Sequence, residues 1–264
     1  MSDVRVTAII PARMGSTRFP GKPLLQVHGL PMVEHVRRRA LLCHGFSDVV
    51  VATCDEEIRR AVEGFGGRVV WTKATHPGAT DRVAEAASMI DCTHVVNVQG
   101  DEILVLPEDL DRMVLAIQSR PQGPAWNALA PVESSADLAA RSIVKCVVSN
   151  SSRVLYCSRD FSRLPVRSPY DPVRVILGIL AYERGFLLRL SGLSRTPGEL
   201  AESIDQNRIV EHDVELWGVS FSKAYPGINE PAEVSIVERI LDQDARQKEI
   251  LEQIIRPAAA RLPH

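Results

Sequence analysis

One short loop concentrates cations and small residues. The run IIPARMGSTRFPGKPL, residues 9–24, begins as an apolar strand and then presents Arg13, Arg18 and Lys22 among Gly15, Ser16, Thr17 and Gly21. Small residues let backbone N–H groups approach phosphate oxygens, and arginine and lysine neutralise them. A second loop, THPGATDR, supplies Gly78, Ala79, Thr80 and Arg82. A third follows NVQ and carries Asp101 and Glu102. Asp101 offers the hard oxygen ligand that Mg²⁺ prefers, and that ion normally bridges to substrate phosphates. The three loops together suit a nucleoside triphosphate with Mg²⁺. A lone basic loop is ordinarily a solvated turn and a lone Asp after a strand a helix cap, so convergence of the loops is what carries the reading. GxxxxGK[ST] is absent, which disfavours P-loop chemistry. GFGG at 64–67 follows a helical pattern and reads as a helix C-terminus rather than a dinucleotide fingerprint. His76, next to Pro77, reads as a loop residue without a catalytic task.

Convergence requires a scaffold that brings loop after loop to one edge. VRVTAII, DVVVAT (48–53), RVVWT (68–72) and THVVNVQ (93–99) are β-branched runs separated by helical patterns, from Pro31, over DEEIRRAVEG with Asp55 at its N-cap, and over Thr80 to Ile90. Strands alternating with helices imply βαβ units and a parallel sheet buried on both faces. In such sheets ligands bind outside the carboxyl ends of the strands, where all three loops fall. The second half is less regular. SIVKCVVSN and SRVLYCSR read as two strands joined by a polar turn, and FSRLPVRSPYDPV as an excursion. VRVILGILAYE and VELWGVSF read as strands, ERGFLLRLSGL and GELAESIDQNRIVEHD as helices, and Pro231 to about Ile255 as one long amphipathic helix. The expected organisation is a single domain over 1–264 with an inserted subdomain near 133–220.

Bulk properties narrow the partners. With 264 residues, 45% apolar and 24% charged, the chain is an ordinary globular composition able to bury a sizeable core. A net charge of −2 and no basic stripe with interleaved aromatics disfavour nucleic acid and an anionic membrane surface. No apolar run approaches a bilayer span, and MSDVRVTAII lacks a signal-peptide layout, so the expectation is a cytoplasmic protein. Cys43, Cys54, Cys92, Cys146 and Cys157 form no CxxC pair and read as reduced thiols, mostly core fillers.

The motifs carry a family resemblance. PARMGSTRFPGKPL resembles the PAR-x-x-STR-x-PGKPL opening of the CMP-sugar synthetases, closest to the 3-deoxy-manno-octulosonate cytidylyltransferases. NVQGDE, THPGATDR, IVKCVV and YCSRD resemble further segments of that family, most strongly up to Glu102. The resemblance implies a Rossmann-like, three-layer nucleotidyltransferase fold of the glycosyltransferase-A type, with a mixed, mostly parallel sheet and an inserted dimerisation and acceptor subdomain. It implies that CTP and an acidic sugar give a CMP-sugar and pyrophosphate. Arg13 and Lys22 would hold the triphosphate, helped by Arg18 and the backbone at Gly15 and Ser16. Thr80, Arg82 and the backbone at Gly78 and Ala79 would lie near cytosine. Asp101 would bind Mg²⁺, and Gln99 would contact the acceptor. Relatives are commonly homodimers.

Three departures bear on the acceptor and the metal. The family's late metal aspartate falls on Asn229 in GINEPAEV, a neutral oxygen donor, with Glu230 beside it as substitute or helix cap. A strand that reads HLGIYGY in the family reads ILGILAY here, placing Ile176 and Leu180 where His and Tyr bind sugar, while Gly178 and Tyr182 remain. Gly78-Ala79 replaces Ser-Gly. GELAESIDQNR resembles an acidic family helix through Glu199, Glu202, Gln206 and Arg208; such a charged helix is either a solvated face or an acceptor-recognition element, in which Glu202 or Gln206 would bind sugar hydroxyls or an amine. Arg159 would pair with the acceptor carboxylate, since Arg suits bidentate anion recognition. The acceptor expected is 3-deoxy-manno-octulosonate or its 8-amino form. The alternatives are another small acid such as a phosphonate, and a CTP-binding protein without catalysis.

Overall fold

A computed structural model describes residues 4–15 and 19–255. Ser16 and Arg18 therefore lie outside the described residues. In chain order the elements are β1 (Val6–Pro11), β2 (Gln26–Val27), β3 (Leu30–Pro31), α1 (Met32–Ala40), β4 (Asp48–Thr53), α2 (Glu56–Gly64), β5 (Arg68–Trp71), α3 (Ala79–Ser88), β6 (His94–Val98), α4 (Pro107–Ser119) and β7 (Ala125–Pro131). They continue with α5 (Ser135–Ala139), β8 (Lys145–Val148), β9 (Val154–Ser158), β10 (Val173–Glu183), α6 (Arg184–Leu190), α7 (Pro197–Glu202), α8 (Asp205–Glu211), β11 (Leu216–Ser220), α9 (Val234–Gln243) and α10 (Ala245–Ile255).

The main sheet runs β11-β7-β10-β6-β1-β4-β5. β1 is parallel to β4 and β6, β4 to β5, and β7 to β11, while β10 is antiparallel to both of its neighbours. Continuous apolar runs suit strands covered on both sides. Ala8, Ile10, Val49 and Val51 meet α1, α2 and α4 in one core, and Ile9, Val50, Ala52 and Val95 meet α3, α6 and α8 in another. This is the three-layer, mostly parallel α/β architecture expected. A third core joins β2, β3, Ile103, Leu104, Leu106, Ile228, α9 and α10.

β10 makes the sheet fork. One edge pairs with β7 along Arg174–Tyr182. The other pairs with β8 through Val173–Val175, then with β6 through Ile179–Glu183. Between them, register slips at Ile176/Leu180, and the strand opens around Leu177 and Gly178. Residues 133–220 thus include the β8–β9 hairpin and α5 to α8 and also send β10 and β11 into the main sheet.

Several local expectations change. β7 and α4 are additional elements: AWNALAP has little β-branching and α4 follows an irregular segment, so neither was legible. The long C-terminal helix divides at Asp244, whose backbone is extended and whose Oδ1 accepts Gln247 N–H at 3.0 Å, an N-cap for α10. The acidic helix divides too, at Ser203 with φ 54°. Asp55 sits at the N-cap position of α2 without capping it, because its carboxylate takes the Met14 N–H at 2.8 Å. Cys43, Cys92, Cys146 and Cys157 are buried, as core fillers should be.

Candidate active site

β1 delivers its loop to the carboxyl edge of the sheet. Ala12 N–H still bonds Ala52 O at 3.0 Å, and Asp55 anchors Met14, so Arg13 is held out in the open. Gly21 returns the chain: its φ is +75°, a region costly for side chains with a Cβ, and its N–H reaches Met14 O at 3.1 Å. Lys22 then opens a 3-10 turn. Its Nζ lies 3.0 Å from Asp101 Oδ2 and donates to Ile228 O at 2.9 Å. Strand β6 ends two residues before Gly100, which places Asp101 opposite Lys22.

α3 begins at the same edge. Arg82, 2% exposed, donates to Thr72 Oγ1 at 2.5 Å, which anchors its guanidinium, and it shares a cavity lining with Gly78 and Ala79. His76 faces Glu85 of α3 at 2.5 Å, and Glu85 also takes Lys73 N–H at 2.8 Å. That contact tethers the loop to its helix, which fits a residue without a chemical task. Arg13, Lys22, Gly78, Ala79, Arg82, Gln99 and Asp101 line one cavity of about 360 Å³.

A second cavity of about 370 Å³ occupies the fork in the sheet. Thr80, Gln99, Asp101, Glu102, Arg159, Ile176, Leu180, Asp205, Gln206 and Asn229 line it. Gln99 and Asp101 belong to both cavities. Gly178 stitches the fork to β6: its O accepts Gln99 N–H at 3.0 Å and its N–H donates to Glu102 Oε1 at 2.8 Å. A Cβ on Gly178 would stand 2.5 Å from Glu102 Oε1, so any other residue must push the Glu102 and Gln99 side chains aside. Burial, with Asp101 beside it, pushes Glu102 up to about 7. Arg159 is pinned by three carbonyls, of Glu202, Arg141 and Ser203, at 2.8–3.3 Å. Lys145 Nζ in turn gathers the carbonyls of Ala140, Ile143 and Arg159.

Three expected site residues do otherwise. Tyr182 is 1% exposed in the core, its hydroxyl is bonded to Thr80, and burial pushes its pKa up, so it cannot touch an acceptor directly. Glu202 turns away to Ser158 Oγ at 3.0 Å and Arg159 N–H at 3.2 Å, beside a different cavity. Gly15 is exposed and lines neither cavity described. Gln206 does reach the second cavity, but its amide is committed to Asn127 Oδ1 at 2.8 Å. Glu230 is exposed at the N-cap position of a 3-10 turn rather than in the site. Glu102 and Asp205 were passed over. NVQGDE already showed Glu102, but its role at the fork depends on Gly178, 76 positions away.

The family model for cytidylyltransferases matches residues 7–216. A 3-deoxy-manno-octulosonate cytidylyltransferase of Myxococcus xanthus is 40% identical over 245 residues, covering 91% of this chain and 98% of that one. An 8-amino-3,8-dideoxy-manno-octulosonate cytidylyltransferase of Shewanella halifaxensis is 37% identical over 246 residues, covering 91% and 100%. Among solved structures, a CMP:2-keto-3-deoxy-manno-octonic acid synthetase complexed with CTP superposes with a TM-score of 0.86 at 33% identity, over 91% of this chain and 99% of that one. Sheet order, the opening loop and these matches agree, and the chain belongs to the cytidylyltransferase family.

Proposed function

We propose that this chain transfers CMP from CTP to an acidic sugar, 3-deoxy-manno-octulosonate or a close relative such as its 8-amino form, and releases pyrophosphate. The observation that carries the reading is the pair of cavities meeting at Gln99 and Asp101. One is cationic and edged by backbone, suited to a triphosphate; the other holds Arg159, suited to a carboxylate. Arg13 and Lys22 bind the phosphates, Arg82 and the Gly78–Ala79 backbone border the base, and Gln99 and Arg159 orient the acceptor. The acceptor hydroxyl forms a bond to the α-phosphorus as the bond to the β-phosphate breaks, and Lys22 stabilises the charge gathering on pyrophosphate. Positioning across the shared wall supplies much of the rate.

Among the described residues there is no group of three or more His, Cys, Asp or Glu arranged to hold a metal. The donor set nevertheless suits Mg²⁺, which takes one or two carboxylates and completes its shell from phosphates and water. Asp101, with Asn229 on the same cavity wall, would hold it. When bound, it would neutralise triphosphate charge and polarise the α-phosphate. Residues 133–220 form the acceptor-binding and dimerisation region in this reading. A homodimer is supported by exposed Leu155 and Tyr156 on β9 and nearby exposed Leu164. A cytoplasmic location follows from the need for CTP, and no helix among the described residues is long and apolar enough to cross a membrane.

A second reading, transfer to a smaller acid such as a phosphonate, is favoured by Val144, Ile176, Leu177 and Leu180, which make one side of the second cavity aliphatic. Pyrophosphate release from CTP and Mg²⁺ with a panel of ulosonic acids, an 8-amino analogue and phosphonates separates the two. Release with none of them would leave only CTP binding, measurable by calorimetry, and overturn the transferase reading.

A further inference from the structure

The segment 101–106, which carries Asp101 and Glu102, has no regular secondary structure: tight turns satisfy the N–H groups of Glu102, Ile103 and Val105, but those bonds are local and do not tie it to the rest of the fold. Two buried side chains from distant elements hold it. Arg39 of α1 donates from Nη1 to Val105 O at 3.1 Å, and Gln247 of α10 donates from Nε2 to Leu104 O at 2.7 Å. Both are fully buried, while Ile103 and Leu104 plug into the core formed with Ile250, Leu251 and Ile254 of α10. Gln247 is itself placed by the Asp244 cap, which takes its N–H.

The polar groups are expensive for a plug. Arg39 Nε and Nη2 and Gln247 Oε1 have no hydrogen-bond partner among the described residues. Burying such groups unpaired is destabilising, and an apolar side chain of the same size would fill this core at less cost. What these two residues do that an aliphatic cannot is fix consecutive carbonyls three and four positions after Asp101. The same core holds Ile228, whose carbonyl takes Lys22 Nζ and whose neighbour is Asn229.

We infer that Gln247 and Arg39 are positioning residues for the transfer reaction, clamping segment 101–106 so that Asp101 stays in register with Lys22. The inference assigns a catalytic duty to the C-terminal helix α10, which lies beyond the residues 7–216 matched by the family model. It rests on the reading of Asp101 as the residue at the metal and phosphate end of the site. Losing such supporting contacts typically costs about 10–100-fold in metal affinity or activity.

The test is Gln247→Met, which keeps the volume and removes the donor, beside Ile58→Val as a fully buried packing control on α2. Gln247→Met should exchange the amides of the 99–106 peptide faster in hydrogen–deuterium exchange, with the rest of the chain unchanged. It should also weaken Mn²⁺ binding in the presence of CTP, read by electron paramagnetic resonance, and lower kcat by about tenfold with the KM for CTP nearly unmoved. Melting should shift by no more than roughly 4 °C, a change of about 1 kcal/mol or less in a chain this size. Ile58→Val should lower the melting temperature and leave exchange at 99–106 and kcat alone. Unchanged exchange at 99–106 in Gln247→Met overturns the clamp whether or not the parent shows activity. Parallel losses of melting temperature, kcat and CTP binding in both variants reduce it to ordinary packing. A parent that releases no pyrophosphate with any acceptor defeats the function reading, while the exchange and Mn²⁺ results still decide this one.

Discussion

The two halves of the cleft are made of different material. The half proposed to take the triphosphate is built from loops that follow parallel strands, and its lining comes from short sequence stretches: Arg13 and Lys22, Gly78, Ala79 and Arg82, Gln99 to Asp101. The acceptor half is built where β10 changes partner from β8 to β6, and it gathers residues from 80 to 229. The first presents charge and backbone from loops that follow strand ends. The second presents side chains from a strand whose pairing fixes them. Phosphate recognition tolerates the first design because it needs donors and charge, whereas reading an acceptor needs shape.

Removing charge from the Lys22–Asp101 pair should have the largest effect. Lys22→Ala and Asp101→Ala are each expected to cost about 10²–10³-fold or more in kcat with the fold intact by circular dichroism. Activity within twofold of the parent in either would take that residue out of the site. Next, Gly178→Ala pushes Glu102 and Gln99 aside at the fork, and a misplacement of that size costs about 10²-fold. Its loss should fall mainly on the acceptor, so an equal rise in the KM for CTP would mean that the two halves are not separable. Ile176→His with Leu180→Tyr is expected to move preference toward a hydroxyl-rich ulosonic acid by about tenfold in kcat/KM. A panel ranking left unchanged would show that the aliphatic side does not read the acceptor.

Support beneath the triphosphate half gives a pH prediction. His35 is fully buried, donates from Nε2 to Val27 O at 2.7 Å, and burial, with Arg39, Arg38 and His28 also opposing the charged form, lowers its pKa to about 4. A buried base with a depressed pKa binds fewer protons folded than unfolded. Its contribution is therefore complete above pH 6.5 and is lost as pH falls from 6.5 toward 4, up to about 3 kcal/mol. Urea midpoints across that window should flatten in His35→Gln; an equal slope in both would assign the effect elsewhere. The smallest change is expected from Tyr182→Phe, which removes one hydrogen bond to Thr80, about 1 kcal/mol of stability, and leaves acceptor KM within about twofold. A tenfold rise would return Tyr182 to the acceptor site.

This contrast also explains what the sequence revealed. Arg13, Lys22, Gly78, Ala79, Arg82, Gln99 and Asp101 could be read because a strand end and the loop after it are neighbours in the chain, and the parallel-sheet rule brings such loops to one edge. The alternation of four strands and three helices was legible for the same local reason. The directions of Tyr182 and Glu202 could not be read from the matching pattern, because they depend on Thr80 and Ser158, far away in sequence. β7 stayed hidden because AWNALAP is poor in the β-branched residues that mark strands, and its burial comes from β10 and β11. Asp244 and Ser203 divide helices by backbone choices that periodicity does not encode.

The fork in the sheet has a consequence for how such an enzyme can change. A loop can be lengthened or exchanged with little disturbance. Residues 176–180 have less room, because the flanks of this 11-residue strand are fixed by β7 on one edge and by β8 and β6 on the other, leaving only the short opening at Leu177 and Gly178. An insertion larger than that opening can absorb would slip the register of the paired flanks. New acceptors must accordingly be acquired by single side-chain replacements within a fixed frame, while the nucleotide end remains open to remodelling by length.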